Sequence, residues 1–120
     1  MKLLVVDDSK AMRMIVIRNI RQAGYDGHEI KEATNGVEGL AAVKEWNPDL
    51  VLSDWNMPEM TGIQFLQQLR AEGNQIKFGF VTSEGTPEMR QLAADSGCVF
   101  LIAKPFTVED FKENLARVLS

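Results

Sequence analysis

Short apolar runs of strand length alternate along the chain with longer segments in which apolar residues recur at helical spacing. The runs cover residues 3–6, 50–53, 76–82 and 99–103, and residues 28–33 form a second, weaker predicted strand. Continuous apolar runs are typical of strands that are buried on both faces, as in a parallel sheet. Five strand–helix repeats predict a parallel sheet with right-handed crossovers and with helices packed on both of its faces.

The segments between these runs carry helix signals. A first helix is predicted from a cap at Ser9 to about residue 23, and a last helix follows a cap at Thr107. Thr86, Pro87 and Glu88 combine a cap, a proline at the first helical position and an acid near the helix start. The helical spacing predicts these buried faces, in chain order: Met12, Ile15, Val16, Ile20 and Ala23; Val37, Leu40 and Ala41; Ile63, Leu66 and Leu69; Met89, Leu92 and Ala93; Phe111, Leu115, Val118 and Leu119.

Length and composition predict a single globular domain over residues 1–120. Of the 120 residues, 45% are hydrophobic and 25% are charged, and the sequence contains no linker, repeat or low-complexity segment. This balance excludes a disordered chain, a collagen-like repeat and a coiled coil. The net charge of −4 argues against a sequence-independent grip on nucleic acid phosphates.

The cellular setting follows from what the sequence lacks. Cys98 is the only cysteine, so an intramolecular disulfide and a cysteine-based zinc site are both excluded. No stretch approaches the roughly 20 apolar residues of a membrane span, and the first residues lack the apolar region of a signal peptide. We therefore expect a cytoplasmic protein with no membrane partner.

Polar and charged residues stand where four of the five predicted strands end. They are Asp7 and Asp8 after the first strand, Asp54 after the third, Thr82, Ser83 and Glu84 at the end of the fourth, and Lys104 after the fifth. In open parallel α/β sheets, ligands bind at the carboxyl ends of the strands. Each of these residues alone has an ordinary explanation as a helix cap, a turn former or an exposed polar group. A binding or catalytic site explains their convergence better than chance does.

The residue types at this end of the sheet suit phosphoryl transfer. Three carboxylates at close range repel one another, and burial disfavours their charged forms unless a cation compensates. Oxygen ligands without histidine or thiolate favour a hard ion, above all Mg²⁺, which commonly bridges carboxylates to a phosphate. Lys104 is suited to clamp an anion, and Thr82 can donate a hydrogen bond to it. An aspartate in such a site can attack phosphorus and form an acyl phosphate.

Four motifs at these strand ends are specific in combination. They are Leu4-Val5-Val6-Asp7-Asp8-Ser9, Ser53-Asp54-Trp55-Asn56-Met57-Pro58 with Met60 and Gly62, Val81-Thr82, and Lys104-Pro105-Phe106. Together they closely resemble the receiver domains of two-component response regulators, including the single-domain type that acts in chemotaxis. The resemblance spans the chain from the first strand to the last helix. It implies a three-layer (βα)5 flavodoxin-like fold whose five-stranded parallel sheet has the order 2-1-3-4-5.

The resemblance also implies a role for each acidic residue of the site. Asp54 would accept a phosphoryl group from a sensor histidine kinase or a phosphotransfer protein. Mg²⁺ would be bound by Asp8, Asp54 and the backbone carbonyl of Asn56, and Asp7 would contribute through water. Such a protein is a signalling phosphoacceptor that catalyses only its own phosphorylation and dephosphorylation.

Further roles follow for the residues around the phosphoryl group. Lys104 would contact the phosphoryl oxygens and precede a cis peptide bond to Pro105, and Thr82 would move toward the phosphate on activation. In the family, the positions of Asn56 and Glu84 tune self-hydrolysis. Both residues are polar and can admit water, so we expect the acyl phosphate to decay within about a minute, a barrier of about 20 kcal/mol.

The face made by the fourth helix, the fifth strand and the fifth helix usually meets the downstream target in this family. The chain departs from the family pattern at two places on that face. Leu101 stands at a switch position that is usually Tyr or Phe, and Thr86-Pro87 stands where the chemotaxis regulators carry lysines. Leu101 has no polar group, so we expect it to stay buried in both states. The signal would then pass through the segment from Ser83 to Pro87.

Two other functions remain possible from the residues. A haloacid-dehalogenase-like phosphatase also uses an aspartate nucleophile, Mg²⁺ and a lysine, but its acidic pair comes late in the chain. A binding module that is never phosphorylated is the second alternative. Such degenerate receivers usually lose an acid or the lysine, whereas Asp7, Asp8, Asp54, Thr82 and Lys104 are all present.

Overall fold

A parallel sheet of five strands, in the order β2-β1-β3-β4-β5, lies at the centre of the molecule. The structure is a computed structural model that describes residues 1–83 and 85–119. The strands are β1 (Lys2–Val6), β2 (Glu29–Ala33), β3 (Leu50–Ser53), β4 (Lys77–Thr82) and β5 (Phe100–Ala103). The helices are α1 (Lys10–Ile20), α2 (Gly36–Trp46), α3 (Gly62–Ala71), α4 (Pro87–Asp95) and α5 (Val108–Leu119). A π-helical segment, Arg21–Tyr25, continues from α1, so the first helix extends slightly past its predicted end near residue 23. The predicted fold class and strand order are confirmed.

Two apolar clusters, one on each face of the sheet, hold the layers together. Helices α2, α3 and α4 pack on one face around Phe65, Phe78 and Phe80, and all three rings are fully buried. Helices α1 and α5 pack on the other face around Ile20 and Phe111. Side chains alternate between the faces of a strand, so the apolar runs of the central strands supply both clusters.

Each helix begins at the carboxyl end of the sheet, the side at which the strands end, with a polar cap. The hydroxyl or amide oxygen of the cap accepts a hydrogen bond from a backbone N–H in the first helical turn. The caps are Ser9, Asn35, Thr61, Thr86 and Thr107, with donor–acceptor distances of 2.9–3.4 Å. The caps predicted at Ser9, Thr86 and Thr107 are thereby confirmed.

The opposite side, the amino end of the sheet, is built from turns that contain a left-handed residue. Gly24, Asn47, Gly73 and Gly97 precede β2, β3, β4 and β5 and have φ angles of 106°, 51°, 81° and 91°. A left-handed residue is a common way to end a helix because it satisfies the last carbonyl groups. At Gly73 a side chain would meet no atom within 4 Å, so this turn faces open space.

Three of the predicted helix faces are partly wrong. On α1, Arg13, Val16 and Ile20 are buried, whereas Ile15 is exposed. On α2, Gly36 and Gly39 are buried and Val37 and Ala41 are exposed, as is Leu92 on α4. The two glycines of α2 allow Met60 and Phe65 to approach the helix backbone, and this close contact turns that face of α2 toward the core. Within the described residues, no helix has both the length and the hydrophobicity needed to cross a membrane.

Candidate functional site

The backbone places three of the predicted site residues one residue beyond the ends of β1, β3 and β5. The N–H of Asp7 donates to Ala33 O at 3.1 Å, and that of Asp54 donates to Val6 O at 2.9 Å. The N–H of Lys104 donates to Thr82 O at 2.8 Å. These bonds continue the hydrogen-bonding pattern of the sheet beyond the strands, so the backbone of all three residues is held by the sheet.

The side chains of these residues converge. The ammonium nitrogen of Lys104 lies 3.8 Å from Oδ2 of Asp7 and 3.8 Å from Oδ2 of Asp54. The side chain of Asp7 is 6% exposed and that of Asp54 is 13% exposed, so neither carboxylate is well hydrated. Carboxylate oxygens of Asp7, Asp8 and Asp54 all lie within 4.8 Å of one another, and Asp8 is the exposed member. Lys104 therefore pairs with two of the three acids of this cluster.

Burial and like charge act on Asp7 most strongly. Burial raises the pKa of the Asp7 carboxyl above its ordinary value, and the neighbouring Asp54 and Asp8 raise it further. The N–H of Ser9, which donates to Asp7 Oδ1 at 2.9 Å, and the charge of Lys104 act in the opposite direction and lower this pKa. The net effect is a raised pKa, so the ionised form of Asp7 is less favourable here than in water, and a further cation would offset this penalty.

The loop after β3 holds Asp54 in place from both sides. Oδ1 of Asp54 accepts a hydrogen bond from the N–H of Trp55 at 2.7 Å, and its backbone carbonyl accepts from the buried hydroxyl of Ser53 at 2.8 Å. The indole of Trp55 is 8% exposed and packs on Phe80, with ring centroids 4.8 Å apart. The N–H of Gly62 donates to Trp55 O at 2.7 Å, and a Cβ at Gly62 would collide with Asp54 O.

The structure distributes the remaining predicted residues around this centre. Thr82 is completely buried at the end of β4, while Asn56 and Ser83 are exposed. The Lys104–Pro105 peptide bond is cis, as expected from the resemblance. Leu101, which was expected to be buried, is only half-buried because it packs at the margin of the cluster on the α2–α4 face, and Phe100 belongs to the opposite cluster. Glu84, a predicted tuning residue, lies outside the described residues.

The donor set fits a hard divalent cation. Asp7, Asp8 and Asp54 offer carboxylate oxygens within 4.8 Å of one another. Mg²⁺ prefers such oxygen ligands and retains waters, which an exposed ligand such as Asp8 allows. A divalent cation at this position would also offset the repulsion that disfavours the ionised form of Asp7.

An apolar depression of about 490 Å³ opens beside Lys104. It is lined by Met12, Ile15, Ser83, Lys104, Pro105 and Phe106. Ile15 was predicted to face the core, yet its side chain is 38% exposed near this opening. The site is therefore reached across an apolar surface formed by α1 and the segment after β5.

Arg13 is a residue of this region that the sequence prediction missed. Its guanidinium donates to Asp7 O at 2.7 Å and to Oε1 of Glu32 at 2.8 Å. An arginine on a helix is ordinarily expected to be exposed. However, Arg13, Val16 and Ile20 are spaced i, i+3 and i+7, which is the spacing of one helix face. This spacing was the available signal.

Comparisons with known proteins give a consistent result. The sequence profile of the response regulator receiver domain family matches residues 3–116. The chain is 37% identical over 119 residues to a probable chemotaxis protein CheY of Rhizobium etli, covering 98% of this chain and 91% of that protein. It is 38% identical over 120 residues to the chemotaxis protein CheY-3 of Vibrio cholerae, with the same coverage of 98% and 91%.

Solved structures show the same likeness. The Vibrio cholerae chemotaxis protein CheY4 superimposes with a TM-score of 0.85 at 34% identity, covering 98% of this chain and 97% of that one. A DNA-binding response regulator of the LuxR family from Staphylococcus aureus superimposes with a TM-score of 0.88 at 26% identity, covering 99% and 98% of the two chains. Regulators with different outputs therefore resemble this chain closely in fold.

Proposed function

This chain belongs to the response regulator receiver domain family and serves in phosphorelay signalling, and from that premise we propose that Asp54 is its phosphoacceptor. The observation that supports the choice is position. Asp54 follows the central strand β3, and its Oδ2 faces Lys104 beside the acids that follow β1. The family is one of signalling proteins rather than metabolic enzymes. Catalysis of the chain's own phosphorylation and dephosphorylation is part of the proposal.

The reaction would be an in-line displacement at phosphorus. Oδ2 of Asp54 attacks the phosphorus of a phosphohistidine, an O–P bond forms, and the N–P bond breaks as the imidazole leaves. Oδ1 of Asp54 is held by the N–H of Trp55, and this bond fixes the plane of the carboxylate during the attack. Lys104, 3.8 Å from Oδ2, supplies positive charge where the phosphoryl oxygens would lie.

The residues present can bind the divalent cation that such a transfer uses. Asp8, Asp54 and the backbone carbonyl of Asn56 would bind Mg²⁺, with Asp7 acting through water. When bound, the ion neutralises phosphoryl charge and orients the transferred group. Thr82 would donate its hydroxyl hydrogen bond to a phosphoryl oxygen. Because Thr82 is completely buried, its hydroxyl has few positions available, and this favours a switch between two defined side-chain positions.

The phosphoryl donor would approach across the apolar depression beside Lys104. Met12, Ile15 and Phe106 line this opening, and Ser83 and Lys104 connect it to the site. Helix α1, which begins there, contains basic residues and no acid. We therefore assign this surface to a kinase or phosphotransfer protein. The downstream target would bind the face made by α4, β5 and α5.

The switch on that output face would differ from the usual one. Leu101 is already half-buried against the α2–α4 cluster and has no polar group that could favour a second position. A side chain with similar contacts in both states cannot bias an equilibrium. Structures with and without beryllofluoride test this. Leu101 should keep its exposure while Ser83 and Gly85 move, and a change at Leu101 alone would contradict the idea.

Phosphorylation of Asp54 is tested directly with acetyl phosphate and Mg²⁺. Intact mass should show one added phosphoryl group on the wild-type chain and none on Asp54→Asn, whereas Asp49→Asn, at the amino end of the sheet, should react normally. Labelling of Asp54→Asn at the wild-type rate would remove the assignment. Turnover of many equivalents of a phosphate monoester would instead support the phosphatase alternative, which the family match does not favour. The cytoplasmic location stays a prediction.

A further inference from the structure

Arg13 is a buried cation that points at the backbone of the acidic site. The residue is 9% exposed and lies on the inner face of α1, where the neighbouring buried positions are the apolar Val16 and Ile20. Burying a guanidinium is costly unless its N–H groups are hydrogen-bonded. Two of its donors have partners, Asp7 O at 2.7 Å and Oε1 of Glu32 at 2.8 Å.

The first of these bonds acts on the peptide that joins two predicted metal ligands. The carbonyl of Asp7 and the N–H of Asp8 belong to one rigid peptide plane. Fixing the carbonyl direction therefore also fixes the direction in which the chain enters Asp8. The N–H of Ser9 holds the Asp7 carboxylate on the other side of the same turn at 2.9 Å. Asp8 itself is exposed, so packing does little to hold its carboxylate, and the backbone direction at the Asp7–Asp8 peptide contributes to where that carboxylate lies.

The second bond ties this arrangement to the sheet. Glu32 lies on β2, and its neighbour Ala33 accepts a hydrogen bond from the N–H of Asp7 at 3.1 Å. Arg13 therefore joins α1, β2 and the end of β1 at one point. Since β2 is an edge strand, this link also holds the edge of the sheet against the turn that carries the acids.

We propose that Arg13 is a positioning residue for divalent cation binding, acting through the Asp7–Asp8 peptide rather than by contacting the ion. This inference rests on the proposed function, because it requires that the acids bind Mg²⁺. Groups that orient metal ligands typically affect metal affinity by about 10- to 100-fold. We expect Arg13→Met to weaken Mg²⁺ binding about tenfold.

A second arginine, the half-buried Arg70, supplies the control. Arg70 donates to Asn74 O at 2.8 Å and to Gly97 O at 2.9 Å, so it also clamps loop carbonyls, but at the amino end of the sheet. Arg70→Met removes the same charge and comparable bonds from a place far from the acids. Arg18→Met provides an exposed control on α1 itself. Arg70→Met should lower the stability of the chain, and Arg18→Met should only remove a positive charge. Neither variant should change the affinity for Mg²⁺.

The experiment is a titration of each chain with MgCl₂, followed by calorimetry and by the emission of Trp55, with thermal unfolding measured in parallel. Arg13→Met should bind about tenfold more weakly than wild type, with the same emission change at saturation. Arg13→Lys, whose single ammonium can reach one partner at a time, should recover part of the loss. Arg70→Met and Arg18→Met should bind as wild type does.

The outcomes separate the inference from the proposed function. If the wild-type chain shows no Mg²⁺ binding, the proposed function fails. If the wild type binds and Arg13→Met binds equally well, the positioning role is wrong. Equal weakening in Arg70→Met would show that general destabilisation, not positioning, causes the loss. Should Arg13→Met fail to fold, Glu32→Ala decides: about threefold weaker binding supports the role, and unchanged binding overturns it.

Discussion

The two ends of the sheet follow different building rules. At the amino end, the turns before β2, β3, β4 and β5 each contain a residue with positive φ: Gly24, Asn47, Gly73 and Gly97. At the carboxyl end, polar caps begin the helices, and the loops between strand and cap carry the acids and Lys104. The amino end uses the same kind of turn, with a left-handed residue, to end one helix after another. The carboxyl end carries different polar side chains after each strand.

This difference indicates that the carboxyl end of the sheet is less favourable for stability than the amino end. The amino end pairs its charges with backbone groups, as when Arg70 caps the carbonyls of Asn74 and Gly97. The carboxyl end places three acids together, two of them paired with Lys104, and the pKa of Asp7 is raised there. Substitutions that are harmless at one end should therefore have large effects at the other. Four pairs of matched variants test this, from the largest expected effect to the smallest.

Removing one acid from each end should give the widest contrast. Asp8→Ala is expected to weaken Mg²⁺ binding about 100-fold, or about 2.8 kcal/mol, because it removes both a hard ligand and a negative charge. Asp49→Ala, at the amino end, should leave Mg²⁺ affinity unchanged. The measurement is the emission change on adding Mg²⁺, which should survive Trp46→Phe and disappear in Trp55→Phe. Similar affinities for both alanine variants would contradict the proposed site.

Adding one methyl group at each end should separate the two ends in stability. A Cβ at Gly62 would collide with Asp54 O and approach the ring of Phe80 to 2.9 Å. We expect Gly62→Ala to lose about 2 kcal/mol of unfolding free energy. At Gly27 a Cβ would meet nothing within 4 Å, so Gly27→Ala should be neutral or gain about 0.5 kcal/mol. Urea unfolding measures the free energy of unfolding of both variants. Equal changes in the two variants would contradict tight packing of Gly62 against Asp54.

Neutralising Asp7 should stabilise the chain when Mg²⁺ is absent. Because its pKa is raised in the folded state, the folded chain holds this proton more tightly than the unfolded chain does. Stability therefore falls as the pH rises from the unfolded value of 3.8 through the raised value, and the penalty is complete above it. Asp7→Asn should gain about 1 kcal/mol at pH 7, and the gain should shrink toward pH 4.

Thermal unfolding over a pH series checks this prediction. Asp49→Asn is its control at the amino end, where the carboxylate accepts a hydrogen bond from the N–H of Lys2 at 2.8 Å. This variant should gain nothing at pH 7. A loss of stability in Asp7→Asn at pH 7 without Mg²⁺ would show that Lys104 outweighs burial and repulsion.

The smallest effect concerns two non-glycine residues in the left-handed region. Glu59, in the loop after Asp54, has a φ of 67°, and Asn47 has a φ of 51°. Glu59→Gly should raise the unfolding free energy by about 0.5 kcal/mol. It relieves a backbone strain of about 1–2 kcal/mol, but glycine also makes the unfolded chain more flexible, and this offsets part of the gain. Asn47→Gly should gain almost nothing, since asparagine tolerates this conformation. Calorimetry of both variants measures the difference in stability. Equal gains would show that the backbone at Glu59 is no more strained than the backbone at Asn47.

Much of this molecule could be predicted from the sequence because the relevant signals are local. The caps at Ser9 and Thr86 are local motifs, and the strand over residues 50–53 coincides with β3. The convergence of Asp7, Asp54 and Lys104 followed from strand ends alone, because parallel strands place their carboxyl ends together.

The remaining features depend on contacts between distant segments. The inner face of α2 is set by Gly39, against which the ring of Phe65 packs, and no helical periodicity marks a glycine as a core position. Arg13 is buried because Asp7 O and Glu32 happen to lie within reach. Ile15 is exposed because α1 is oriented with Arg13, Val16 and Ile20 on its inner face.

The open turn at Gly73 has a practical consequence for protein engineering. Its backbone faces open space, on the side of the sheet opposite to the acids. Exposed turns of this kind accept inserted domains more readily than packed loops do. A fluorescent protein inserted at this turn would leave the loops that carry the three acids and Lys104 unchanged. The receiver could then serve as the sensing half of a genetically encoded reporter of kinase activity.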